Sequence, residues 1–430
     1  MMDKKIVAWA LYDLANTAFT SPFATIFWPL LITTTLHGNE FHIGLTVAVA
    51  TIIFSVIVPI IGSISDSTQI RTPFIVIPTL VMIGIIAFLP GFGLYSDLIL
   101  AGIVIVAYNL SLTIYNALLP DLASEKEMGR ISGYGMATGF IGTLLSLIVA
   151  YMTLWYYAAG NLNVFQALKS LFMVAIGKGG IALETQEGIS MVFPVIAVFF
   201  LVFSLPLMFF IKDEKKKKLD LSVRKLRKIS SGIVANIKDL FRIKGMSYYL
   251  AYFALFSNAL AAIDIFFYLF AKNEIGMSLA GFIFLFMLQS FGAGLGAIVF
   301  GKMADRFGTK RLLQITTIMW ILVISTFIFS RSVPVFAVAG LVGSVAFGGS
   351  LANSRTLFVF LAPEDKMGEY FGYAQIVSRL AAVIGPVLGG FIIVKYGYNY
   401  ALLMMIAFVV ACFFYLLKVP DLRGKSSEVK

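Results

Sequence analysis

The chain is almost without cysteine and histidine: it has one cysteine, Cys412, and two histidines, His37 and His42. One thiol excludes an internal disulfide framework, and two histidines flanking a short loop offer no Cys/His metal spacing. They read as surface-loop residues. Charge is scarce as well. Charged residues make up 13% of 430, where a soluble globular chain carries about 25%. There is no H-E-x-x-H, no G-x-S-x-G and no G-x-x-x-x-G-K-[ST] run. Zinc hydrolysis, serine hydrolysis and P-loop use of ATP therefore have no sequence support, and the reading is a non-enzyme without a cofactor.

What the chain has is apolar length. Hydrophobic residues make up 60% of it, 40 of them Phe. A membrane helix needs about 20 mainly apolar residues to cross a core roughly 30 Å thick. Twelve such segments are predicted, at about 6–35, 42–64, 73–93, 97–119, 131–155 and 190–211, then 246–271, 277–300, 311–330, 334–361, 370–394 and 398–418. Lipid offers no partner to an open backbone, so all are expected to be helices. The opening MMDKK and the apolar run from Ile6 read as a first span, not a cleaved leader, because Asp13 and Asn16 interrupt the run and a second segment follows. Small residues at Gly292 and Gly296, and at Gly385 and Gly389, predict close helix packing. The loop 156–189 holds a partly apolar stretch, 164–176, too short to span and read as interfacial or re-entrant.

The positive charge has a side. Of 33 Lys and Arg, 26 fall at the termini and in the even-to-odd connections, 5 fall in the opposite loops, and Arg355 and Arg379 lie inside segments. Positive residues accumulate on the cytoplasmic side, so both termini are expected there. Topology thus accounts for the net charge of +11 without nucleic acid as a partner. The connection 212–245 carries twelve of these cations, and it reads as a solvated basic linker that also has the chemistry to lie against anionic lipid. The division expected is a bundle over 1–211, the linker, and a bundle over 246–430.

The two halves repeat. Gly62 and Asp66 recur as Gly301 and Asp305, and Met128-Gly129-x-x-x-Gly133-Tyr134 recurs as Met367-Gly368-x-x-x-Gly372-Tyr373. Both pairs are offset by 239 residues, which identifies an internal duplication. The clearer copy, GKMADRFGTKR, contains Gly301, Asp305, Arg306, Gly308, Lys310 and Arg311. The earlier copy, GSISDSTQIR, keeps Gly62, Asp66 and Arg71 but has Ser67 in place of Arg. The glycines are expected to let neighbouring helices approach. The aspartates can accept charge-assisted hydrogen bonds in one arrangement and release them in another, as gating loops.

Ionisable groups inside membrane segments are costly and mark function. Asp13 lies about 10 Å into the first segment at 1.5 Å per residue. Tyr12, Asp13 and Asn16 are spaced to share one helix face. Arg379 falls near the middle of the eleventh segment with Gln375 one turn before it, and its counterpart at the 239 offset is Phe140. A charge held by one half alone suits a binding site. Arg355 and Asp264 stand nearer segment ends, where long side chains snorkel and acids meet water. Tyr108, Asn109, Tyr115 and Asn116 either line a cavity or join helices.

The loop signature G-x-x-x-D-R-x-G-x-K-R at Gly301 to Arg311 resembles that of major facilitator superfamily transporters. Three further stretches resemble one branch, the autophagy-related vacuolar amino-acid effluxers and their prokaryotic relatives. These are Tyr12–Phe19, then Tyr115–Pro120 with Gly129–Gly133, then Gly348–Phe358 with Phe371-Gly372 and Gly385-Pro386. The resemblance implies two pseudo-symmetric six-helix bundles around a central cavity and secondary transport by alternating access. It also implies a small-molecule solute, an amino acid among the documented ones, with proton coupling an open option. Family members carry Lys where this chain has Arg379. Their helix-seven Y-N-D-G stands here as Phe256-Ser257-Asn258-Ala259, which loses the acid. The expectation is a monomeric multi-pass transporter in the plasma membrane if the source is prokaryotic. The alternatives are a sugar or drug exporter of the same fold and a receptor that binds without transport.

Overall fold

The computed structural model describes all residues except 1–3, 69, 123–124, 176–182, 214–237, 363–366 and 421–430. Among the described residues the chain is helical, and no strand is present. Eleven helices among the described residues are long and apolar enough to cross a membrane. A twelfth run, 4–35, is helical throughout but alternates between α and π geometry.

We label the spanning helices α1 (4–35), α2 (Glu40–Thr68), α3 (Thr72–Phe88), α4 (Leu94–Ala117), α5 (Glu125–Ala159) and α6 (Gln186–Phe210). The second half gives α7 (Met246–Asn273), α8 (Leu279–Phe307), α9 (Thr309–Phe329), α10 (Val333–Leu361), α11 (Met367–Ala381 with Ile384–Tyr396) and α12 (Tyr398–Lys418). A short helix, Val164–Ala175, lies between α5 and α6. Most of the linker expected at 212–245 lies outside the described residues.

Two helices depart from plain α geometry, and proline explains where. α1 turns to π geometry over Thr20–Phe27 and Leu31–Thr35, with Pro22 and Pro29 in the run. A proline has no N–H for the preceding turn, so the helix widens there. α11 breaks at 382–383, three residues before Pro386. Membrane helices tolerate such breaks where neighbours take up the freed backbone groups.

The chain forms two compact units. One comprises Met1–Ile229, Ile265–Lys272 and Met277–Met287; the other comprises Ser230–Asp264, Asn273–Gly276 and Leu288–Lys430. In the first, α1 packs against α5 and α6, while α4 packs against α2 and α3. In the second, α9 packs against α10 and α12. Glycine sets the closest crossings. A Cβ on Gly142 of α5 would stand 2.2 Å from the Leu14 carbonyl oxygen of α1. On Gly385 it would stand 2.2 Å from that of Asn258, and on Gly296 2.1 Å from that of Val345. Gly292, Gly296 and Gly385 therefore do serve packing.

The motif residues correct two expectations. They are not loop residues: Gly62 and Asp66 lie in α2, and Gly301, Asp305 and Arg306 lie in the last turns of α8. No proline or glycine before Gly308 stops that helix, so it runs on to Phe307. The turn is Gly308 itself, at φ +82°, which leads straight into α9. Gly62 and Gly301 are also not close-approach positions, because a Cβ on either meets nothing within 4 Å among the described residues.

The ends that follow are tied across each half. The Asp213 carboxylate, just past α6, accepts from the Arg71 and Thr72 backbone N–H groups at 2.9 and 3.1 Å and from the Thr72 hydroxyl at 3.1 Å. It thereby satisfies the free donors at the start of α3. At the matching place in the second half, Lys310 Nζ donates to the Leu417 and Val419 carbonyls at 3.0 and 2.6 Å, closing the end of α12. Asn39 and His42 exchange backbone-to-side-chain bonds of 3.2 Å at the start of α2, so His42 lies in the first turn of that helix rather than in a loop and completes its cap.

Candidate functional site

The polar face of α1 is packed among aromatic rings. Trp9 stacks on Tyr115 of α4 at 4.8 Å between centroids, and Tyr12 leans on the same ring at 5.0 Å. Trp9 Nε1 donates to the Tyr115 carbonyl at 3.3 Å, and the Tyr115 hydroxyl donates to the Trp9 carbonyl at 3.1 Å. The Tyr12 hydroxyl shares a 2.6 Å hydrogen bond with Thr79 of α3. Tyr12 and Tyr115 are thus helix-joining groups, which decides that alternative for Tyr115.

Asp13 and Asn16 differ from these tyrosines. The Asp13 carboxylate lies against the glycine face of α5, where a Cβ on Gly135 or Gly139 would stand 3.1 or 3.6 Å from Oδ2. Thr17 anchors that contact by donating to the Gly139 carbonyl at 2.7 Å, and Thr138 donates back to the Ala10 carbonyl at 2.9 Å. Asn16 is 1% exposed, and among the described residues neither its side-chain oxygen nor its nitrogen has a hydrogen-bond partner. A buried amide left unbonded costs roughly 1–3 kcal/mol. The π turn begins at Thr20, whose hydroxyl turns back to the Asn16 carbonyl at 3.3 Å. Such interruptions recur at functional sites.

In the second unit, Arg379 occupies the last turn of Met367–Ala381, directly before the break in α11. The carboxyl end of a helix carries partial negative charge, so the guanidinium sits where the backbone favours a cation. The second piece of α11 is capped from α7: Asn258 Oδ1 accepts from the Gly385 backbone N–H at 2.6 Å. Asn258 stands where the resembling family has its acid, and here it works as a buried cap. Ser257 and Ser378 share a 2.6 Å hydrogen bond beside it. Arg355 is exposed on α10, six residues from its end, as a snorkelling side chain would be. The side chains of Gln375, Asp66 and Asp305 lie outside the described residues.

The duplication survives at the level of bonds. Trp9 to Tyr115 in the first half corresponds to Tyr249 to the Ser354 carbonyl, 3.0 Å, in the second. Thr17 to Gly139 corresponds to Ser257 to Ser378. The bonds set an offset of 240 between α1 and α7, one more than the 239 that holds for the motif pairs; at it Asp13 matches Phe253 and Asn16 matches Phe256, while Phe140 matches Arg379 at 239. Each polar candidate thus corresponds to a phenylalanine in the other half. Sequence reasoning missed Thr17, the Gly135–Gly139–Gly142 face and the Asn258 cap. The glycine spacing was the signal for the second; Ser257 lies 240 residues after Thr17, one residue off the 239 repeat, so the offset alone did not give that pair.

The major facilitator superfamily model matches residues 258–430. The chain is 20% identical over 403 residues to the uncharacterized MFS-type transporter YxiO of Bacillus subtilis strain 168, covering 89% of this chain and 86% of that one. Among solved structures, the nucleoside transporter NupG superposes with a TM-score of 0.68 at 13% identity, over 97% of this chain and 98% of that one. A D-xylose-proton symporter gives 0.67 at 15% identity over 98% of each. Those two likenesses carry the fold alone. Taken with the family match over the second half and the full-length relative, they show that this chain has the helical fold of major facilitator superfamily transporters and is similar to them in sequence.

Proposed function

We propose that the chain moves a small amphoteric solute, of the amino-acid class, by alternating access, with Asp13 able to carry a proton in the cycle. The observation that carries this reading is the pair Asp13 and Asn16. A carboxylate and an unbonded buried amide occupy one face of α1, and the duplicated half holds phenylalanine at both places. Arg379, at the break of α11, adds a cation for a carboxylate. A cation so placed suits a solute that carries a carboxylate, as an acid at Asp13 suits one that carries an amine. Discontinuous helices with their ends turned to the site are a recurring carrier device. The halves 1–211 and 246–430 are taken as the two moving bundles.

The test is counterflow of labelled amino acids in proteoliposomes, with a nucleoside and xylose as competing solutes. Exchange of amino acids alone supports the proposal, and exchange of xylose or nucleoside alone rejects it. In the same assay Asp305→Asn is expected to slow exchange more than Asp66→Asn, because the α2 copy has lost its basic neighbour at Ser67. Unimpaired exchange in both variants would remove the gating role.

The bias of Lys and Arg supports cytoplasmic termini. A cysteine at Ser230, which lies outside the described residues, should resist an impermeant maleimide added to intact cells. One at Asn161, exposed beyond the end of α5, should react. The reverse pattern sinks the orientation.

A further inference from the structure

The two halves end their fifth helices alike and then diverge. Gly160, at φ +70°, ends α5, and Gly397, at φ +91°, ends α11. After Gly397 the chain enters α12 at Tyr398, so one residue makes the connection. After Gly160 the first half places 161–185 before α6 begins. A helix-to-helix turn does not require that insertion, so another role must hold it.

The insertion reaches the end of α7. Val174 of the short helix is the nearest side chain, apart from Ser278 and Met277, to a Cβ on Gly281 at the start of α8. Glu184 receives a 2.9 Å hydrogen bond from the buried Tyr268 hydroxyl and is ion-paired with Lys272. Tyr268 and Lys272 lie one turn apart on one face of α7. The Lys272 and Glu184 side chains are only 24% and 30% exposed, so water screens this pair less than an open surface pair. Thr185, the next residue, caps α6 by accepting from the Gly188 N–H at 3.1 Å, which fixes Glu184 at a helix start. Glu184 precedes the repeat boundary and its two partners follow it.

We propose that Glu184, where the insertion meets α6, is a latch that holds the end of α7 through Tyr268 and Lys272, and that the transport cycle releases it. The proposal rests on the chain alternating between two arrangements but not on which solute it carries. Losing one charge-assisted bond from one of two states shifts their ratio by about tenfold.

The experiment needs no solute. Spin labels are placed at Leu162, in the insertion, and at Val333, at the start of α10, in the full chain in lipid; both positions are exposed, whereas Cys412 is buried. Distance distributions are then measured for the parent, Glu184→Gln, Lys272→Met and the charge-exchanged pair Glu184→Lys with Lys272→Glu. Each single variant is expected to raise the longer-distance population about tenfold, and the exchanged pair is expected to return toward the parent. Two populations whose ratio ignores Glu184 and Lys272 overturn the latch alone. One distance in every protein, the parent included, overturns both the latch and the alternation it rests on.

Discussion

Replacing Gly348 by alanine should unseat α10 from α8. A Cβ at Gly348 would stand 1.8 Å from the Ala293 carbonyl oxygen and 2.8 Å from the Ala297 nitrogen. Both are backbone atoms of α8, so no rotamer change relieves the clash, and one helix must move by more than an ångström. Overpacking of this kind costs about 1–3 kcal/mol, occasionally more, and a rigid backbone neighbour places this site at the upper end. The control is Gly301→Ala. There a Cβ meets nothing within 4 Å among the described residues, and alanine favours a helix over glycine by roughly 1 kcal/mol. The same chemical change should therefore act in opposite directions at two positions of one motif-rich half. Cys412, fully buried and the only thiol, reports unfolding through its reaction with a thiol-sensitive dye on heating. Gly348→Ala melting no earlier than Gly301→Ala would overturn this contrast.

That contrast also shows what the sequence could carry. Helix number and placement were legible, because the bilayer sets segment length and lipid enforces backbone pairing. The α12 segment, 398–418, matches the observed helix end for end. Close packing at Gly296 and Gly385 was legible too, from small residues spaced along one face. The role of Gly62 and Gly301 was not, because one glycine looks the same whether its Cβ position is filled or open. The break in α11 was hidden for a similar reason. Pro386 announces a lost N–H, but Asn258, 127 positions earlier, decides how the freed group at Gly385 is satisfied. Asp213 and Glu184 stood in loops, where an acid is unremarked until the fold brings a helix start or a lysine to it.

Arg379→Gln should abolish exchange of carboxylate-bearing solutes, while Arg379→Lys keeps part of it. The cation sits in the last turn of a half-helix within a membrane span, where a permanent charge is costly and marks function. A solute carboxylate is a group it can meet. Lysine preserves the charge but not the two-pronged donor geometry, so weaker rather than absent exchange is expected. Asp13→Asn keeps the shape against Gly135 and Gly139 and removes the anion, so it should abolish proton-driven accumulation and weaken binding of the solute amine. Losing one ion contact typically costs a few kcal/mol, or two or more orders of magnitude in affinity. If the two charges served only to balance each other, removing both would be better tolerated than removing either. The decisive measurement is counterflow in Arg379→Gln with Asp13→Asn, set beside each single variant. Inactivity of all three, with a normal melting profile, sustains the solute-binding roles. Recovery in the double variant rejects them in favour of a purely structural pair.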